Sequence, residues 1–235
     1  MRSSIFDIVN DIIYITKYRD TSINKIIRGD TMHLNTKNIF KGIYAFLIGL
    51  LIGILTVIGQ KYLPGSLNSL ANSGAIWLIP AFFMASTAEK KFTAIILCAE
   101  TLIVCVISYY WVESIVNQHT FVFGGFYLYL WLICAVIAGV IFGFGAYFYR
   151  QKSTYYNWGA SLLPAVFLAE GLSQIIHLSE YMHMIPAVIG RIILGIALYF
   201  IIYRKAFCQR KSLISFCTYT VMGVAGYEIL FMLTT

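Results

Sequence analysis

Charge is what this chain has least of. Lys, Arg, Asp and Glu make up 11% of its 235 residues, where an ordinary soluble domain carries roughly 25%. Together with a 60% hydrophobic content, that shortage makes lipid the solvent for most of the chain. Aspartate is absent from every apolar span long enough to cross a membrane, which argues against an intramembrane aspartyl protease. The sequence also lacks a His-Glu-x-x-His zinc pattern, a Gly-x-x-x-x-Gly-Lys phosphate loop and a Gly-x-Ser-x-Gly nucleophile elbow. Ser161 and His177 form a dyad only by assumption. The expectation is a protein that is not an enzyme and holds no cofactor or metal. A cleavable signal peptide is not visible either, because Asp7 and Asp11 interrupt the first apolar stretch. Cys98, Cys105, Cys134, Cys208 and Cys217 read as small core hydrophobes rather than disulfide partners.

What remains is seven apolar spans, at about Ile43–Gln60, Ser73–Ala88, Phe92–Val112, Gly125–Tyr149, Trp158–Leu178, Ile185–Tyr203 and Ser212–Leu233. A crossing takes about 20 mostly apolar residues, so the spans use up the chain and leave no room for a second domain. Of the 17 Lys and Arg, all but Lys61 and Arg191 lie outside the spans on the same side: before Gly42, at Lys90 and Lys91, at Arg150 and Lys152, and from Arg204 to Lys211. Cytoplasmic loops accumulate such residues. The expected protein sits in the cell membrane with its amino terminus in the cytoplasm and its carboxyl terminus outside. Tyr109, Tyr110, Trp111, Tyr127, Tyr129 and Trp131 mark one interface, and Tyr147, Tyr149, Tyr155, Tyr156 and Trp158 the other, in agreement with the charges. The net charge of +7 is juxtamembrane, which points to anionic lipid rather than nucleic acid.

The predicted organisation is an all-α, polytopic helix bundle over 42–235, preceded by a cytoplasmic segment over 1–41. Ile5, Ile8, Val9, Ile12 and Ile13 recur at helical spacing opposite Asp7, Asn10 and Asp11, which predicts an amphipathic helix. It rests on headgroups or docks a partner.

Spans one to three resemble spans four to six. Pro80-Ala-Phe-Phe-Met-Ala85 parallels Pro164-Ala-Val-Phe-Leu-Ala169, and Gly53 and Gly59 parallel Gly139 and Gly145. With three spans per half, the second copy is inverted, giving a 3+3 repeat plus one, as in many carriers. Pro80 and Pro164 would interrupt their helices at matching places and mark a binding site. Gly49 with Gly53, and Gly139 with Gly143, provide close-approach faces.

Charges within the slab cost roughly 2.5–3.5 kcal/mol each and usually face a cavity or a partner. Arg191 cannot shed its proton and needs a carboxylate; the repeat favours Glu100, with Glu170 next and Glu228 also available. A structural ion pair, a substrate or proton site, and a lipid-facing Arg are all open. The predicted substrate-binding set is Trp77, Pro80, Glu100, Pro164, Glu170 and Arg191.

Leu70-Ala-Asn-Ser-Gly-Ala-Ile-Trp77, with Gly53 before it and Ala169-Glu170-Gly171-Leu172 after, resembles a bacterial multi-pass membrane family, domain of unknown function 6518, over about Ile43 to Tyr203. That resemblance implies no activity. Trp77-Leu-Ile-Pro80, Lys90-Lys91 and Ala99-Glu100 are also similar to substrate-binding subunits of energy-coupling-factor vitamin transporters, although the seventh span departs from their pattern. The functional expectation is small-molecule transport or substrate capture, energised by an ion gradient or a separate subunit. The alternative is an accessory or immunity-type membrane protein that binds a partner.

Overall fold

The computed structural model describes residues 36–118, 125–152, 155–204 and 209–234, and every regular element among them is helical. The chain divides into two units, Met1–Phe40 and Lys41–Thr235. Of the first, only the opening residues of α1 are described; the expected amphipathic helix and Cys208 lie outside the described residues.

The order is α1 (Thr36–Tyr62), a short α2 (Leu67–Ala71), α3 (Gly74–Ala85), α4 (Lys91–Val116), α5 (Phe126–Gln151), α6 (Tyr156–Ile176), a single turn α7 (Leu178–Tyr181), a 3-10 turn (Met182–Met184), α8 (Ile185–Tyr203) and α9 (Arg210–Thr234). Seven segments are long and apolar enough to cross a membrane, α2 with α3 forming the second and α7 with α8 the sixth. The chain is a multi-pass membrane protein.

Neighbouring spans run antiparallel. Trp77 Nε1 donates to Thr56 Oγ1 at 3.0 Å and Lys41 Nζ to the Thr87 carbonyl at 2.8 Å, so the start of α1 meets the end of the second span. α9 instead runs parallel to α6, with Ser215 beside Ser161 and Glu228 beside Ser173. Lys41, Lys90, Lys91, Arg150, Arg204, Arg210 and Lys211 therefore collect at one end of the bundle.

α6 lies at its centre. Gly159 through Ala165 are all buried, as are Phe167, Ala169, Glu170, Gly171 and Ser173. Without a hydrophobic drive between helices in lipid, small residues that allow close packing hold such a bundle together. A methyl on Gly49 would lie 2.5 Å from the Thr101 carbonyl, and one on Gly143 would lie 2.6 Å from Ile95 Cα. Both glycine pairs are thus used inside the chain, α1 and α5 each pressing on α4.

The repeat is followed only in part. Gly59 and Gly145 do face matching spans, the second and the fifth, through Ala71 and Leu162. Gly139, however, faces Ala99 of α4, as Gly53 does Ser108 and Cys105, whereas an inverted copy would turn it toward α8.

The prolines do not interrupt their helices. Pro80 and Pro164 sit inside continuous α3 and α6, as spans tolerate when neighbouring groups serve the freed carbonyl. The interruption falls earlier in the second span. Asn72 leaves helical geometry (φ −92°, ψ 22°) and Ser73 is extended (ψ 127°), separating α2 from α3. Upstream, Pro64-Gly65 turns the chain out of α1, with Gly65 at φ +55° in open space where a side chain would strain the backbone.

Candidate functional site

The broken second span brings two opposite helix ends together. At the break the Leu70 carbonyl accepts from the Ser73 N–H and the Ser73 carbonyl from the Ile76 N–H, and other backbone groups at the end of α2 and the start of α3 are open to partners from outside the helical ladder. Arg191 of α8 and Glu170 of α6 stand at this break. Arg191 Nη2 donates to the Ser69 carbonyl of α2 at 2.8 Å. Ser73, at the position that would ordinarily cap α3 with its hydroxyl, donates that hydroxyl to Glu170 Oε2 at 2.5 Å instead. The two charges pair directly, Arg191 Nε to Glu170 Oε1 at 2.9 Å, with side chains only 3% and 9% exposed. The Tyr227 hydroxyl of α9 approaches Glu170 Oε2 at 3.5 Å. Four spans thus meet on one ion pair.

A cavity of about 500 Å³ opens beside the pair. Gln60 borders it at the end of α1, Asn72 at the break, Trp131 near the start of α5, Gln174 near the end of α6 and Phe231 near the end of α9. All belong to the end of the bundle opposite the cluster of cations, the end at which Lys61 follows Gln60 in the last turn of α1. The lining runs from buried Arg191 and Glu170 out to exposed Asn68 and Thr234, so the cavity reaches the surface. Its volume lies within the ~300–1,000 Å³ of small-molecule sites.

Of the six residues expected at the site, the structure brings Glu170 and Arg191 together and places the other four elsewhere. Glu100 is not the partner of Arg191. It lies beside Gly42, whose added methyl would be 3.7 Å from Glu100 Oε2, whereas Gln60 borders the Arg191 cavity; at 1.5 Å per residue, Gly42 and Gln60 are ~27 Å apart along α1. An inverted repeat would itself carry a residue near one end of the bundle to a counterpart near the other, so the alignment of Glu100 with Arg191 in sequence does not imply contact. Trp77 is committed to Thr56 and packs its ring against Trp131 and Tyr109, at 6.0 and 5.7 Å between centroids. Pro164 is fully buried in the helix core, and Pro80 does not border the cavity.

The structure adds Ser69, Ser73, Gln174 and Tyr227. One signal for them was present in the sequence: Glu170, Ser173, Gln174 and His177 recur at the spacing of a single helix face, a polar stripe closing an otherwise apolar span. The Asn72-Ser73-Gly74 run, rich in turn formers, marked the break.

The model of a family of unknown function, DUF6518, matches residues 32–233. The chain belongs to that family. No curated protein and no solved structure matches it, and the likeness to energy-coupling-factor subunits finds no support. The broken second span is therefore a feature of this DUF6518 member described on its own residues.

Two further polar groups brace this DUF6518 bundle. His177 Nε2 and Glu228 Oε2 lie 2.7 Å apart, Ser173 donates to Glu228 Oε1 at 2.7 Å, and the His177 ring stacks on Phe231 with centroids 3.8 Å apart. This joins the ends of α6 and α9 beside the cavity. At the cationic end, the Tyr203 hydroxyl donates to the Asn157 carbonyl at 2.6 Å and lies 2.6 Å from Ser161 Oγ, itself 2.7 Å from Ser215 Oγ. These hydroxyls tie α6, α8 and α9 together. Among the described residues, no group of three or more His, Cys, Asp or Glu is placed to hold a metal ion.

Proposed function

We propose that the protein binds a small polar molecule in the Glu170–Arg191 cavity and serves as a membrane carrier or a substrate-capture subunit, with no catalytic step. The observation that carries this reading is the broken second span. Its two ends face a buried ion pair at the margin of a ligand-sized cavity, the arrangement carriers use to hold polar groups within the slab. On the positive-inside reading, the cavity opens to the outside of the cell membrane and the ligand enters from there. Uphill movement would draw on an ion gradient or on a separate energising subunit.

The test is extraction of small molecules from the full-length protein purified in mild detergent, compared with the Glu170→Leu/Arg191→Leu double variant by mass spectrometry. The double variant removes both charges together and leaves neither stranded. A compound that is near-stoichiometric with the native protein and absent from the variant supports the reading. An equal yield from both overturns it.

A further inference from the structure

The Arg191 guanidinium has three nitrogens, and the fold uses two of them. Nε goes to Glu170 and Nη2 to Ser69. Nη1 is buried with no hydrogen-bond partner among the described residues, and Oε1 of Gln174 is in the same condition. Both side chains border the cavity. Native proteins leave few buried polar atoms unserved, and those that remain call for a physical reason, a guest or a water among them. Here one orphan is a donor that cannot lose its proton and the other an acceptor, so a single guest that satisfies both must itself carry an acceptor and a donor.

Charge narrows the class. Arg191 and Glu170 neutralise each other, and among the described residues no other charged side chain borders the cavity. A guest with a net charge would bring it into a membrane interior without compensation, which is costly. A carboxylate has a second fault: it would satisfy Nη1 but set an acceptor against the Gln174 acceptor. An amidinium would satisfy Gln174 and repel Arg191. The lining includes the rings of Trp131, Tyr227 and Phe231 and the amide side chains of Gln60 and Asn72, a composition that suits a flat ring with polar edges.

We infer that the cavity selects an uncharged planar molecule bearing an amide or lactam group, whose carbonyl accepts from Arg191 and whose N–H donates to Gln174. This rests on the small-molecule reading above and specifies its ligand class.

Three probes with one ring isolate the question: benzamide, benzoate and benzamidinium, which offer respectively a neutral acceptor–donor pair, an anion and a cation. Binding to the detergent-purified full-length protein is read by saturation-transfer NMR titration. Benzamide binds at least about tenfold more tightly than either charged probe, the scale expected when a wrong guest leaves a buried group unserved. Gln174→Leu, which leaves the ion pair untouched, removes most of that preference while the variant keeps the native elution profile and melting temperature. Tighter binding of benzoate overturns the inference by showing that Gln174 turns its amide to donate, while leaving the capture reading in place. Tighter binding of benzamidinium, or a benzamide preference that survives Gln174→Leu, also overturns it. Absence of binding by all three overturns it by assigning the two orphan atoms to water; the extraction test above then decides the capture reading separately.

Discussion

Removing the partners of the central ion pair singly and together gives an ordered set of stabilities. Glu170→Leu strands a guanidinium that is 2% exposed and can never discharge. Breaking a buried pair from one side costs roughly 3–5 kcal/mol, and this variant belongs at the upper end because, among the described residues, Arg191 retains the Ser69 carbonyl alone. Arg191→Leu leaves Glu170 with Ser73 and Tyr227 as donors, which places it at the lower end. The double variant strands no charge and recovers most of the loss, since replacing both members of a buried pair by apolar residues is often neutral. The assay is thermal unfolding in detergent followed by size-exclusion fluorescence, with Arg191→Leu/Glu100→Leu as the control that gains nothing. Additive losses in the Glu170/Arg191 double variant, or rescue by Glu100→Leu, would refute the pairing argument.

Two other outcomes follow from packing and charge. Gly139→Ala sets a methyl 2.5 Å from Ala99 Cβ and loses about 1–3 kcal/mol through overpacking, whereas Gly226→Ala, with open space around it, is neutral or gains up to ~1 kcal/mol in helix propensity; melting temperatures of the two variants check this, and equal losses would contradict it. A periplasmic-type phosphatase fused after Thr235 is active outside the membrane and a fluorescent protein fused before Met1 is bright inside; the reverse pattern sinks the topology.

The helical bundle was legible because lipid imposes a simple rule. Every backbone polar group must be paired within a span, so apolar runs such as Ile185–Tyr203 appear in the structure with the same bounds. Helix ends diverged where polar residues continue a helix out of the slab, as at Asn38 before α1 becomes apolar or Glu113 at the end of α4. The site was half legible. A charge such as Arg191 stands out in an apolar span, but its choice between Glu100 and Glu170 depends on how the helices are packed, which no spacing along one helix encodes. The prolines misled because a proline removes one bond without ending a helix in lipid. Asn72-Ser73 does end it, since Ser73 is drawn away from capping α3 by a carboxylate ninety-seven residues distant in sequence.

The claim that an outward-opening cavity lies at the break in the second span is tested most directly by labelling single cysteines in intact cells. In a background without native cysteines, Asn72→Cys and Gln174→Cys react with a membrane-impermeant maleimide added outside, while Ile79→Cys, beside Pro80 and away from the cavity, does not. Labelling of the first two only after the membrane is permeabilised, or labelling of Ile79→Cys in their place, would contradict the account.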